Sequence, residues 1–215
     1  MRASPALPGF DRDFGTYAEQ LIVKSADLAV VPDGLDLAVA STVPTNGLTA
    51  AQMLDLLGDT PADHNRLLVT GTAGAVGGYV ASLARDRGWR VTGLARAEDE
   101  QFVRGLGADF TTDAEAGWDA VADAAAMQEQ ALSLVCDGGA FVGVQPSAKP
   151  ASERGIKVDV VVVHPDGPRL AELLARTASG GLPARVHAVL PLDQVADAHR
   201  AVAKGGVRGR YVLKP

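Results

Sequence analysis

The 215-residue sequence predicts an α/β fold: a doubly wound parallel sheet covered by helices on both faces. Three observations carry that expectation. From about residue 46 onward, short apolar segments alternate with amphipathic helical ones at the spacing of strand–helix–strand units. One such segment, Leu67 to Thr70, runs straight into Gly71, Gly74 and Gly77, and a helical stripe follows at once. The composition, 47% hydrophobic and 21% charged, is that of a chain able to bury a full core.

The first 45 residues read differently. Tyr17 to Val23 and Leu28 to Val31 have the look of short strands, divided by polar turns and the Pro32-Asp33-Gly34 turn signal. Thr49 is placed to cap a helix whose apolar residues Ala50, Met53, Leu54 and Leu57 share one face, with Gly58 as its stop. After the glycines, Val76, Tyr79, Val80, Leu83 and Ala84 form one stripe that ends at Gly88. Strand 90–95 follows, then a helix opened by Glu98, Asp99 and Glu100 with Phe102, Val103 and Leu106 inward.

Further along, the pattern predicts strand 118–122, helix 127–135, strand 140–144 and the β-branched strand 156–163. Pro168 opens a helix carrying Leu170, Leu173, Leu174 and Thr177 on one side, closed by Gly180-Gly181. The chain then reads as strand 186–190, a helix capped by Asp193, and a last strand, 211–213.

The charge of −6 and a pI near 5.2 argue against a nucleic-acid partner, whose site is normally basic. No apolar run has the length of a membrane span, and the first residues lack the apolar core of a signal peptide. The single cysteine, Cys136, rules out an internal disulfide, and the reading is of a cytoplasmic protein. None of His64, His164, His187 and His199 has metal-ligand spacing, so no metal site is expected. Cys136 reads as packed at a helix end, and Tyr17 as a strand residue whose packing explains it as well as a proton-donor role does.

The glycine-rich turn carries the chemistry. A strand that ends in such a turn and opens a helix presents backbone N–H groups at the positive end of the helix dipole, where a pyrophosphate fits. Gly74, Ala75 and Val76 would approach the phosphates, while Gly71 and Gly77 serve the turn and the close helix–sheet packing. The second strand ends in Leu94-Ala95-Arg96-Ala97, without the acid that grips a ribose 2′-hydroxyl. Arg96 is placed to pair with a 2′-phosphate, which points to NADPH; its other reading is a solvated surface arginine. No catalytic acid or base stands out, as expected if hydride transfer depends mainly on positioning.

These residues sit in a larger pattern. The segments GTYAEQLIV (15–23), VPTNGLTAAQML (43–54), LLVTGTAGAVGGYVASLARDRGWRV (67–91), FVRGLGAD (102–109), DGGAFVGV (137–144) and RGRYVL (208–213) occur in one order. In that order the chain resembles the zinc-independent quinone oxidoreductase branch of the medium-chain dehydrogenase/reductase superfamily. The resemblance implies a Rossmann domain over 46–181, with 1–45 and 182–215 as the remnant of a GroES-like β-barrel substrate domain. It implies NADPH as cofactor, a small-molecule quinone or enone as substrate, and a homodimer formed through strand 156–163. It also implies that Thr49, Ala124, Ala125 and Val144 line the groove for the nicotinamide half.

Two departures from the family pattern stand out. Most of the barrel is missing ahead of the first matching segment, which leaves open a shortened non-redox relative (a cyclase, isomerase or cofactor-binding subunit) or a fragment of a longer reductase. Asp123-Ala124-Ala125-Ala126 also stands where the family has a glycine-containing turn.

Overall fold

The computed structural model describes the backbone of residues 3–5, and residues 17, 18 and 20–215 in full. The chain divides into two compact units, one of Met1–Leu48 with His164–Pro215 and the other of Thr49–Val163. Ahead of the sheet come β1 (Ala3–Pro5), β2 (Leu28–Val30), α1 (Leu37–Ser41) and α2 (Val43–Leu57). Helix α2 starts earlier than expected, so Thr49 lies inside it rather than capping it. Pro44 sits in the first turn, where a missing N–H costs nothing, and Val43 and Leu48 are fully buried, which outweighs the low helix propensity of Asn46 and Gly47.

The unit of residues 49–163 is the expected parallel sheet. Its elements are β3 (Arg66–Thr70), α3 (Gly77–Asp86), β4 (Arg90–Leu94), α4 (Glu100–Gly105), β5 (Asp109–Thr111), β6 (Trp118–Asp123), α5 (Glu129–Leu132), β7 (Val135–Gly143) and β8 (Lys157–Val160). The six strands are ordered β5-β4-β3-β6-β7-β8, every pair parallel. The chain therefore winds outward from β3 in one direction, then returns to place β6 on β3's other side. That reversal opens a crevice beyond the C-terminal ends of β3 and β6, where α/β sheets bind ligands. In register, Thr70 faces Asp123 across it.

The core of this unit joins Leu68, Val121, Leu132, Val135, Phe141 and Ile156, all at most 3% exposed. Three local expectations are corrected here. The helix over 127–135 shrinks to α5, because Ala126 and Gln128 have positive φ and Val135 already belongs to β7. Cys136 is therefore a half-buried strand residue, not a helix-end one. Strand 156–163 is regular only over β8, and Val162 beyond it is 51% exposed. Strand β5 is an addition that its short, half-polar sequence did not announce.

The other unit contains α6 (Gly167–Ala178), β9 (Val186–Pro191), α7 (Val195–Ala203) and β10 (Arg210–Lys214), besides the N-terminal elements. Strands β9 and β10 pair in parallel, while β1 and β2 pair antiparallel. Asp36 caps α1 by accepting the Ala38 and Val39 amides, and Asp166 caps α6 through the Arg169 amide. Helix α7 is entered through a 3-10 turn over Leu192–Gln194, which removes the cap expected of Asp193.

Tyr17 to Val23 form no strand among the described residues; Glu19 lies outside them. Arg210 donates Nε and Nη2 to Asn46 Oδ1 at 3.0 and 2.6 Å, and Asn46 in turn donates to the Thr42 carbonyl. Desolvation of that guanidinium lowers its pKa from the ordinary arginine value, although the residue as a whole is exposed.

Truncating Phe141, 1% exposed, removes the centre of the sheet core. The Phe141→Ala variant should lose about 3–5 kcal/mol in chemical denaturation, whereas Val162→Ala should stay within about 0.5 kcal/mol of the parent.

Candidate functional site

The site begins at the end of β3. Gly71 takes φ +59°, a left-handed conformation that turns the chain sharply out of the sheet. Its carbonyl accepts the Gly74 amide at 2.8 Å and closes the turn. A side chain on Gly77 would overlap that same carbonyl oxygen and come within 2.8 Å of Thr72 Cα, so α3 reaches this close only because residue 77 is glycine. Thr72, fully buried, pins the turn by donating Oγ1 to the Val69 carbonyl.

What this leaves open is the N-terminus of α3. No side chain caps it. The Gly78 amide bonds back to Gly74, but the amides of Ala75, Val76 and Gly77 have no acceptor among the described residues. These donors sit at the positive end of a ten-residue helix, at the crevice of the sheet. Gly74 contributes differently from the expectation: its amide is committed inside the turn, and its role here is to let the turn close.

Beside this turn, β4 ends at Leu94 and Arg96 follows, exposed, its carbonyl taking the Asp99 amide at 2.9 Å. The Arg96 guanidinium makes no hydrogen bond or ion pair among the described residues. Gly93 lets β4 pass under the turn, since a Cβ there would come within 2.6 Å of Val103 Cγ1 and 2.8 Å of Thr72 Oγ1.

On the other side stands β6. Asp123 is fully buried, and its carboxylate accepts the Thr70 hydroxyl at 2.6 Å and the Gln128 amide at 2.8 Å. Thr70 Oγ1 in turn accepts the Ala125 amide at 3.1 Å. Two strand ends and the turn after β6 are thus tied by one short chain of hydrogen bonds. The turn lies against Gly71: a Cβ on that glycine would be 3.1 Å from Ala125 Cβ.

Of the residues singled out in the sequence, Gly71, Gly74, Ala75, Val76 and Ala125 are gathered around this turn, and Ala124 precedes Ala125 on the same segment. Val144 follows β7 at the same edge of the sheet and is half-buried. Thr49 is buried within α2. Sequence reading missed the roles of Thr70, Asp123 and Gln128. The first two look like ordinary strand ends, and only the sheet register pairs them.

His64 Nδ1 lies 3.3 Å from Asp119 Oδ1, at the opposite end of β6. His187 packs edge-on against Tyr211. Tyr17 Oη lies 2.8 Å from His199 Nε2, with the two rings tilted at a centroid distance of 5.7 Å, and Tyr17 is 57% exposed. Among the described residues, no group of three His, Cys, Asp or Glu side chains is arranged to hold a metal ion. No described helix is long and apolar enough to cross a membrane.

A parallel sheet whose strand order reverses beside an uncapped, glycine-paved helix start defines a Rossmann-like α/β protein. Comparison with known proteins agrees. Residues 99–213 match the family model for the zinc-binding dehydrogenases, and the chain belongs to that family, as a quinone oxidoreductase-like member of the medium-chain dehydrogenase/reductase superfamily. It is 29% identical to a probable zinc-binding oxidoreductase, mitochondrial, of Arthroderma benhamiae, over 99% of this chain and 75% of that protein. It is 29% identical to the NADPH-dependent alkenal/one oxidoreductase, chloroplastic, of Arabidopsis thaliana, spanning 98% of this chain but 55% of that protein. Its fold superposes on the quinone oxidoreductase of Coxiella burnetii with a TM-score of 0.79, at 22% identity, covering 87% of this chain and 64% of the other.

Two variants test the site's construction. Gly77→Ala should open the turn and lower stability by about 2 kcal/mol or more, read as a drop in the thermal midpoint. Thr70→Val keeps the shape but leaves a buried carboxylate oxygen and the Ala125 amide without their partner; it should cost about 1–3 kcal/mol.

Proposed function

We propose that the chain is an NADPH-dependent oxidoreductase that delivers hydride to a quinone or an activated enone without zinc. One observation carries the reading: three backbone amides at the start of α3 stand without acceptors, at the crevice where the strand order reverses. The name of the alkenal/one relative, which states NADPH dependence, supports it.

In this reading the amides of Ala75, Val76 and Gly77 receive the pyrophosphate. The glycines at 71, 74 and 77 let it approach the backbone. Arg96, whose guanidinium has no partner among the described residues, pairs with the 2′-phosphate. The hydrogen bonds of Thr70 and Asp123 hold the turn that carries Ala124 and Ala125, and Val144 follows β7 at the same edge of the sheet. A reduced nicotinamide, when bound, would supply hydride to an electron-poor centre of the quinone or enone, and water or a nearby hydroxyl would protonate the resulting hydroquinone anion or enolate. The protein's part is positioning, which is why the site needs no strongly perturbed acid or base.

We further propose a homodimer, supported by the open edge of β8 and the exposed Val162 next to it. The low cysteine count supports a cytoplasmic location.

Titration with NADPH and NADH, followed by reduced-nicotinamide fluorescence, tests the reading. NADPH should bind at least about tenfold more tightly than NADH, and Arg96→Ala should erase that preference. Failure of both nucleotides to bind below millimolar concentration would end the redox reading.

A further inference from the structure

The turn after β6 holds a side chain that the proposed reaction leaves unused. Gln128 has its backbone at φ 55°, ψ −118°, a region that residues bearing a side chain avoid. The residue is 8% exposed. Its Oε1 atom, fully buried, has no hydrogen-bond partner among the described residues. Folded chains seldom leave an amide oxygen in that condition, since it forfeits its hydration for nothing. The backbone is held in place all the same, because the buried Asp123 carboxylate accepts the Gln128 amide at 2.8 Å.

The neighbour on the other side shows what is missing. Gln128 Nε2 donates to Gln145 Oε1 at 3.2 Å. Two primary amides that meet edge to edge make two reciprocal N–H···O bonds, and here one is made while the other is absent. Turning either amide over does not mend this, for one polar atom of Gln128 stays unpaired in each arrangement. Gln145 is exposed and lies just past β7, on the same edge of the sheet as the glycine turn. It is the group an incoming ligand would displace.

We propose that Gln128 is a recognition residue for a primary carboxamide on the bound ligand, and that Gln145 half-fills that place until the ligand arrives. A carboxamide offers a carbonyl acceptor and an N–H donor side by side, so it satisfies both Nε2 and Oε1 of Gln128. A quinone or enone offers acceptors only and leaves Oε1 unpaired. The inference rests on the cofactor reading above and assigns this subsite to the carboxamide of the nicotinamide ring.

Binding of three probes separates this from a purely structural role: NADPH; 2′-phospho-ADP-ribose, which lacks the nicotinamide; and the 3-acetylpyridine analogue of NADPH, in which a methyl ketone replaces the carboxamide. The unmutated protein should prefer NADPH to the analogue by about tenfold. Gln128→Met should weaken NADPH by about tenfold and leave 2′-phospho-ADP-ribose within about twofold. It should not lower the thermal midpoint, because it removes an unpaired carbonyl and keeps the side-chain volume. Gln145→Ala should leave NADPH binding unchanged or tighten it.

Three results would overturn the inference alone: equal affinity of the unmutated protein for NADPH and the analogue, Gln128→Met binding NADPH as well as the parent, or that variant weakening the fragment as much as NADPH. The comparison of NADPH with its analogue needs no variant, so it decides the matter even if Gln128→Met does not fold. If the unmutated protein binds neither NADPH nor the fragment, the cofactor reading falls and takes this subsite with it.

Discussion

The approach of α3 to the carbonyl of Gly71 sets the terms for the rest of the sheet unit. Two strands, β3 and β6, end at the crevice, and the chain between β3 and α3 must cross it without filling it. That is possible because residue 77 has no side chain where the Gly71 oxygen sits. The consequence is chemical as well as steric. The N-cap residue, Val76, has no side-chain acceptor to offer, and the amides of Ala75, Val76 and Gly77 have no acceptor among the described residues. The unsatisfied amides follow from the way the turn packs.

The same crevice is stiffened from the opposite side by a buried carboxylate. Asp123 accepts a hydroxyl from β3 and an amide from its own turn, which fixes both the separation of the strand ends and the unusual backbone after β6. Alanine stands at 126 with φ 57°, where a glycine would meet no steric penalty. The departure from the glycine-containing pattern therefore does not abolish the turn; it makes the turn depend on Asp123. Arg210 illustrates a different solution in the other unit, a desolvated cation held by a neutral amide, Asn46, which is itself tied to the Thr42 carbonyl.

Much of this was legible in the residue order. The alternation of apolar segments, the glycine spacing and the stripe on α3 place the sheet and the glycine turn, because hydrophobic period and glycine conformation are local properties. The position of Arg96 just past β4 is legible for the same reason: the end of a strand can be located from the strand itself. The errors were also local in origin. Thr49, as a capping residue type, signals a late start for α2, and burial of Val43 and Leu48 overrides that local signal. The helix over 127–135 was read from apolar spacing alone, which carries no sign of the positive φ at Ala126 and Gln128.

By itself, then, the amino-acid order determined an α/β chain with a nucleotide-type glycine turn and no acid at the end of its second strand. The tertiary structure alone decided that Gly74's amide is used up while those of Ala75, Val76 and Gly77 are not. It also decided that Thr70 and Asp123 meet, and that Gln128 is buried beside Gln145. Each of these is a contact between segments far apart in the chain, set by strand order and register, and no local pattern of side chains encodes which strand end will face which.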